Sequence, residues 1–354
     1  HETILMSFIL ICIILTSPVQ SFSFRDNAAG KWNRGHVGFN DAAALKSIVS
    51  NSEEAYTAVD DTSRRKVFSR TVLVGTVLWP QIGDESIAKA LGIEATAENP
   101  VAVIGGGGRT GMEVAQELAK EGLYAVTMTR DGRDPFQIIK LPPDIKSHIA
   151  HYPDSVNVRQ ADNLLKALDN VHASAIIFCA SASSRGGSAF EVDDEGAGNA
   201  AQAALSINAR LVLISALAVD KPESKSYKVT NSLGGNLDKI MDAKLNGENR
   251  VRSILKKTMN YVIIRPGPLV SKKMNNGASD IEINQGDMVG GGISRSELAG
   301  VTVGALMSGK RGVTVEVYRT STRTKLQPEF DKYSGMEATS DKYVGLFKNV
   351  KPDT

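Results

Sequence analysis

The sequence predicts an α/β protein whose single main domain is a doubly wound parallel sheet, and three observations carry that prediction. Short apolar runs alternate with helical segments from residue 100 to residue 320. Several of these runs, such as Ala175-Ile-Ile-Phe-Cys179 and Leu211-Val-Leu-Ile214, are apolar throughout, as strands covered on both faces are. The first run, Val101-Ala-Val-Ile104, passes directly into a glycine cluster and then into a helical stretch. The 354 residues are 42% hydrophobic and 23% charged, a globular composition long enough to bury a sizeable core. A net charge of +2 without a long basic run argues against nucleic acid as a partner. Of the two cysteines, Cys12 lies in an N-terminal apolar run and Cys179 ends a core strand. No internal disulfide is therefore expected, and Cys179 reads as a small hydrophobe.

In chain order, residues 1–62 read as a targeting leader. Residues 4–17 form an apolar stretch of signal-peptide length, too short to span a bilayer comfortably, and small residues follow it. Phe22-Ser-Phe-Arg25 then opens a weakly periodic stretch carrying Arg25, Lys31, Arg34 and Lys46. The layout resembles the bipartite plastid-targeting leader of algae with secondary plastids, a signal peptide followed by a phenylalanine-led transit peptide. That resemblance implies a plastid destination, stromal or thylakoid-associated; the alternative is a disordered extension with a hydrophobic start. Residues 63–99 read as a linker with an apolar segment, in which Ser63-Arg-Arg-Lys66 leads into Val72-Leu-Val-Gly-Thr-Val-Leu-Trp79. This looks like a twin-arginine thylakoid signal. It equally suits a short membrane-associating or core helix, which leaves peripheral membrane or complex association open.

Within residues 100–320, the apolar runs predict strands at 101–104, 124–129, 156–160, 175–180, 211–215, 261–265 and 313–318. Helices are expected at 112–121, 164–168, 197–207 and 237–255. The ligand of such a sheet sits beyond the carboxyl ends of the strands, where the strand order reverses. Residues 272–292 are polar and glycine-rich, with Asn275-Asn-Gly-Ala278 and Gly290-Gly-Gly-Ile293, and read as a mobile lid or an exposed loop. They hold no cluster that would mark a metal or hydrolytic site. Residues 321–354 form a polar tail in which Asp331-Lys-Tyr-Ser-Gly-Met336 is echoed by Asp341-Lys-Tyr-Val-Gly-Leu346. The tail either presents Tyr333, Met336, Tyr343, Leu346 and Phe347 to a partner or packs back on its own domain.

The glycine cluster Gly105-Gly-Gly-Gly108-Arg-Thr-Gly111 fits two spacings, G-x-x-G-x-x-G from Gly105 and G-x-G-x-x-G from Gly106. Gly105 permits the tight turn off the strand, Gly108 lets the backbone approach a pyrophosphate, and Gly111 lets helix and strand pack closely. The free amides of Arg109, Thr110 and Gly111 at the helix N-terminus then face phosphate. With a strand before, a helix after and a second strand about 20 residues on, the cluster reads as the dinucleotide loop of a Rossmann fold. The second strand ends in Thr129-Arg130-Asp131. An arginine there suits a 2′-phosphate, and Arg109 can reach the same group, so NADP(H) is favoured over NAD(H). Otherwise Arg130 is solvated and Asp131 takes the ribose. Asp162 accepts from the adenine amino group, caps the following helix, or does both. Ala180 and Ser181 are small enough for a backbone running beside a cofactor ribose.

Residues 100–320 resemble the NmrA-like branch of the atypical short-chain dehydrogenase/reductases, NAD(P)-binding proteins of cyanobacteria and plastids. The resemblance rests on Gly105-x-x-Gly108-Arg-Thr-Gly111, Thr129-Arg-Asp131, Gln160-Ala-Asp162, Leu213-Ile-Ser215, Met241-Asp-Ala-Lys244-x-x-x-Glu248, Tyr261-Val-Ile-Ile-Arg265-Pro-Gly267 and Ile293-Ser-Arg-Ser-Glu297-Leu-Ala299, in that order. It implies that Ser215 hydrogen-bonds a carbonyl and that Lys244 holds the nicotinamide ribose, with Pro266 and Gly267 placing backbone groups at the nicotinamide amide. The family's tyrosine would stand four residues before Lys244, where this chain has Ile240. Tyr227 has no lysine at the needed spacing. Lys244 has its own alternative, a solvated pair with Glu248 one turn on. Two functions follow from the resemblance: an NADP(H)-dependent oxidoreductase passing hydride to a small acceptor such as a quinone or flavin, or a non-catalytic dinucleotide-binding redox sensor or scaffold on a plastid membrane complex.

Overall fold

In a computed structural model, residues 95–184, 186–270, 277–326 and 342–353 are described, together with short strands at 22–25, 32–35 and 336–337. The chain divides into two compact units, residues 1–82 and 83–354. In the first, Phe22–Arg25 and Trp32–Gly35 pair antiparallel. The expected signal stretch at 4–17 and the apolar run at 72–79 lie outside the described residues.

The second unit is built on nine strands: β1 Val101–Ile104, β2 Ala125–Met128, β3 Ile149–His151, β4 Ala175–Phe178, β5 Arg210–Ile214, β6 Tyr261–Pro266, β7 Ile281–Asn284, β8 Val313–Arg319 and β9 Met336–Glu337. Their spatial order is 3-2-1-4-5-6-8-7-9. Strands β1 to β6 and β8 run parallel, while β7 is antiparallel to both β8 and β9. The helices are α1 Arg109–Lys120, α2 Pro143–Ser147, α3 Ala161–Asn170, α4 Gly196–Ser206, α5 Lys225–Asn231, α6 Ile240–Ile254 and α7 Arg295–Met307. Because successive strand residues point to opposite faces, Val101 and Val103 join α1 and α7 in one core layer. Ala102 and Ile104 join α3, α4 and α6 in the other. The strand order reverses between β1 and β4, the fold's switch point for ligand binding.

Two expectations are corrected here. The third strand is Ile149–His151, not 156–160: it is a short, half-exposed edge strand that leaves no apolar run to read. Val156 and Val158 are buried from a loop, whose Val156 amide donates to the Thr129 carbonyl. Most of residues 277–292 is neither lid nor exposed loop, because β7 is buried along its whole length. Its polar positions are paired inside the fold: Glu282 is neutralised by Arg323 and accepts from the Tyr318 hydroxyl at 3.1 Å. Residues 271–276 lie outside the described residues. Of the two alternatives for the tail, residues 342–353 follow the second and pack back on the domain. Tyr343 lies over Gly300 and Gly304 of α7, Leu346 and Phe347 enter the core, and Asp353 accepts from the Thr314 amide (2.9 Å) and the Tyr261 hydroxyl (3.1 Å).

Under the carboxyl end of β6 lies a buried charge cluster. Arg265 donates to Glu248 from Nε (3.0 Å) and Nη2 (2.7 Å), and its Nη1 lies 3.1 Å from Asp220, 3.3 Å from Glu316 and 3.6 Å from Asp287. Burial and then the Glu316 charge push the Asp287 carboxyl up to about 8, and burial, with smaller contributions from Asp220 and Glu248, pushes Glu316 up to about 7 against the pull of Arg265. Burial alone would also raise Asp220, but Arg265 and a hydrogen bond from Asp287 hold it below its ordinary value. The sign of the pH effect follows. Between the ordinary carboxylate range and these raised values, the folded chain carries protons that the unfolded chain has lost, so stability declines as pH rises. Urea midpoints taken from about pH 5 to about pH 9 should fall across neutrality, and Asp287→Asn should flatten the alkaline part of that fall; a midpoint that rises steadily with pH would refute the assignment.

Candidate functional site

The glycine loop sits at the switch point. Gly105 has φ +77°, and a Cβ there would lie 2.7 Å from the Ala180 amide nitrogen at the end of β4. A Cβ on Gly111 would press on the Gly105 carbonyl and lie 2.9 Å from Gly106 Cα. The loop is pinned from below, since the amides of Gly105 and Gly106 both donate to the Met128 carbonyl of β2, at 3.1 and 3.0 Å. Helix α1 begins at Arg109 with Gly108 as its cap, no capping side chain and no acid in its first turn. Its first amides are therefore open to an anion, and the missing side chains leave the space a pyrophosphate needs.

Around that loop the expected residues are placed as follows. Arg130 is exposed at the end of β2 with its guanidinium against the Gly186 turn, and among the described residues no acid pairs with it. Asp131 is engaged by Arg133, through the Arg133 amide at 3.4 Å and an ion pair at 3.7 Å. Arg109 faces Arg295 at the start of α7, whose guanidinium is lowered by burial and then by the Arg109 charge. The two expected phosphate arginines thus have different neighbours. Thr110 is half-buried in the first turn of α1. Asp162 is exposed in the first turn of α3 and does not cap it; the cap is Gln160, and it is Asn163 whose side chain accepts from the Asn157 amide.

At the carboxyl ends of β4 and β5, Phe178, Asp193, Leu213, Ile214, Ser215 and Lys244 gather around a narrow crevice too small to hold a water molecule. Ser215 is buried, and its Oγ has no partner. Lys244 does not pair with Glu248, which belongs to the Arg265 cluster; its Nζ lies 2.7 Å from Asp193 Oδ1. The same carboxylate accepts from Ser181 Oγ at 2.7 Å and from the Ala182 amide at 2.8 Å. Sequence reasoning missed Asp193. Its signal was the acidic run Glu191-Val-Asp-Asp-Glu195 entering the small-residue helix α4, and that run folds as a π-helical turn, Phe190–Glu195. Ile240 is buried at the start of α6. Tyr227 turns its hydroxyl into Asp242, and burial together with Asp242 pushes the phenol up to about 12. The Pro266 carbonyl accepts from the Leu217 amide at 2.9 Å, and the Gly267 amide donates to Val317 at 3.1 Å, so the amide expected at the cofactor is already committed. Burial pushes the Cys179 thiol up to about 12, in keeping with its packing role.

A family profile described as NAD(P)H-binding matches residues 105–308, more than half of the chain, from the glycine loop to the end of α7. The chain belongs to the NAD(P)H-binding family. The match spans the motifs that resemble the NmrA-like atypical reductases. Among curated proteins no relative matches the sequence. Among solved structures the backbone is similar to a protein assigned as an NAD-dependent epimerase/dehydratase from Bacillus halodurans, at 19% identity and a TM-score of 0.49 over 63% of this chain and 95% of that one. It is similar also to the oxidoreductase ylbE from Lactococcus lactis, at 19% identity and 0.47 over 63% and 92%. The enzyme WbmG from Bordetella bronchiseptica, in complex with NAD, aligns at 16% identity and 0.44 over 66% and 76%. At these values the likenesses describe the backbone and carry nothing about substrate.

Several motifs of this NAD(P)H-binding protein have structural work. Ser294 and Glu297 form a capping box on α7, and Glu297 also receives Arg319 Nε at 2.9 Å. Glu248 and Arg265 form the buried fork described above. Among the described residues no cluster of His, Cys, Asp and Glu fits a metal, and no helix is long and apolar enough to cross a membrane.

Proposed function

We propose that this protein binds NADP(H) and uses it as an atypical oxidoreductase, passing hydride to a small acceptor that needs no proton from a tyrosine. The observation that supports the NADP(H) reading is Arg130, with no acidic partner among the described residues at the end of β2, while the neighbouring Asp131 pairs with Arg133. A bound dinucleotide supplies the hydride chemistry. The chain's own residues do the rest: the glycine loop and α1 amides hold the pyrophosphate, and Arg130 pairs with the 2′-phosphate. Ser215 Oγ, lacking a partner, is available to orient a carbonyl.

Removing one charge-assisted phosphate contact is worth about 1.5–3 kcal/mol, so Arg130→Ala should weaken NADPH by at least about tenfold in calorimetric titration while leaving NADH nearly unchanged. Equal loss for both would sink the 2′-phosphate assignment. A second reading, a dinucleotide sensor or scaffold without catalysis, is favoured by Ile240 and by the inward-turned Tyr227. NADPH oxidation with a panel of quinones and flavins separates the two: turnover supports the enzyme, and silence with intact binding supports the sensor. The leader reading adds a plastid destination to either, which organelle import of the full chain would test.

A further inference from the structure

We propose that the edge of the domain at the amino ends of β6 and β8 is a docking surface for a membrane carrying anionic headgroups. Six cations gather there from three segments: Lys256 and Lys257 in the turn after α6, Lys310 and Arg311 between α7 and β8, and Lys348 and Lys351 on the tail. Hydrogen bonds tie these segments into one edge. The Gly312 amide donates to the Tyr261 carbonyl at 2.8 Å, Lys310 Nζ reaches the carbonyls of Lys348 and Val350 at 3.1 Å each, and the Lys351 amide donates to Gln285 Oε1 at 3.0 Å. All but Lys310 are exposed, and among the described residues none of the six forms an ion pair.

Such a cluster repels itself. Asp353, the carboxylate that lies among these segments, is spent on Thr314, Tyr261 and Arg252. The C-terminal ends of α6 and α7 offset part of the repulsion, each with about half a negative charge. Arg210, at the start of β5, shows that the offset is incomplete. It is only 7% exposed and donates from Nη1 to the Leu306 carbonyl at 2.7 Å, yet its Nε has no partner, and burial and then the Arg311 charge lower it to about 10. A buried cation beside an exposed one is costly until an anion arrives from outside. The residue types favour a lipid surface. All but Arg311 are lysines, hydrated point charges on flexible stems, which suit a diffuse layer of headgroups better than a single forked phosphate contact. Among the described residues no large hydrophobic side chain is exposed at this edge, so neither the apolar centre of a protein interface nor a stacking platform for bases is present. The glycine loop lies at the other ends of the strands, so docking leaves it open to water.

Co-sedimentation of the full chain with vesicles tests this, comparing phosphatidylcholine alone with equal parts phosphatidylcholine and phosphatidylglycerol. Anionic lipid is expected to strengthen binding, and salt at about 1 M to remove the gain. Each cation near an anionic surface contributes about fivefold, so Lys256→Gln/Lys257→Gln should weaken the anionic binding about 25-fold. Lys140→Gln/Lys146→Gln removes the same charge beside β3, at the far side of the sheet, and should stay within about twofold. All four lysines are exposed, so neither double variant disturbs the core. Attachment through the apolar leader would be common to every variant and to neutral vesicles, so the gain on adding phosphatidylglycerol is the deciding quantity. No gain overturns the proposal and points to an acidic protein as the occupant. An equal loss in both double variants, or a gain that survives high salt, overturns it as well.

Discussion

An Arg265→Met variant is expected to lose about 3–5 kcal/mol of stability, because it strands buried carboxylates without their cation. Glu248, Asp287 and Glu316 are fully buried around this guanidinium, and Asp220 is partly so. Burial alone would lower the guanidinium's affinity for its proton, but Glu248, Asp220 and Asp287 more than offset that, so Arg265 stays charged at every working pH. Arg265→Lys should recover only part of the loss, since an ammonium cannot reproduce the two parallel bonds to Glu248. Urea unfolding followed by far-UV circular dichroism reads both variants. A loss below about 1 kcal/mol for Arg265→Met would mean that the acids shed their charge at little cost, and the cluster would no longer explain why Glu248 and Arg265 stand where they do.

Gly105→Ala is expected to remove most dinucleotide binding. The left-handed backbone at this position costs a side chain about 1–3 kcal/mol, and the added methyl meets the Ala180 backbone rather than a side chain that could turn away. The loop cannot slide to relieve it, because Gly105 and Gly106 both donate to Met128. Binding should weaken by roughly ten- to a hundredfold, with a smaller loss of global stability. Gly111→Ala should act similarly by levering α1 off the loop. Unchanged affinity in both variants would move the dinucleotide site away from this loop.

Six of the seven expected strands, and the alternation behind the doubly wound sheet, were legible because strands buried on both faces must be apolar throughout, and such runs survive in one dimension. The dinucleotide loop was legible for a related reason: a tight turn and a close helix approach need glycine at fixed spacing. Ile149–His151 was not, since an edge strand exposed on one side needs no apolar run. Ile281–Asn284 was hidden because its Glu282 looks solvated until Arg323 and Tyr318 are seen to meet it from β8 and the segment beyond. Lys244 is legible, but the one partner that spacing offers it as an alternative, Glu248 one helical turn on, is not the one it takes. The actual partner, Asp193, is 51 residues distant and no spacing rule links them.

The sequence by itself therefore determined the buried parallel strands of the sheet and the glycine loop, because periodicity and glycine spacing are local consequences of backbone geometry. Only the tertiary structure decided which charges are paired. It gave Glu248 to Arg265, Asp193 to Lys244, Asp131 to Arg133 and residues 342–353 of the tail to the domain, and among the described residues it left Arg130 without an acidic partner and Ser215 Oγ without a hydrogen bond. The physical reason is that ion pairing and burial depend on distances between segments far apart in the chain, which residue order alone does not carry.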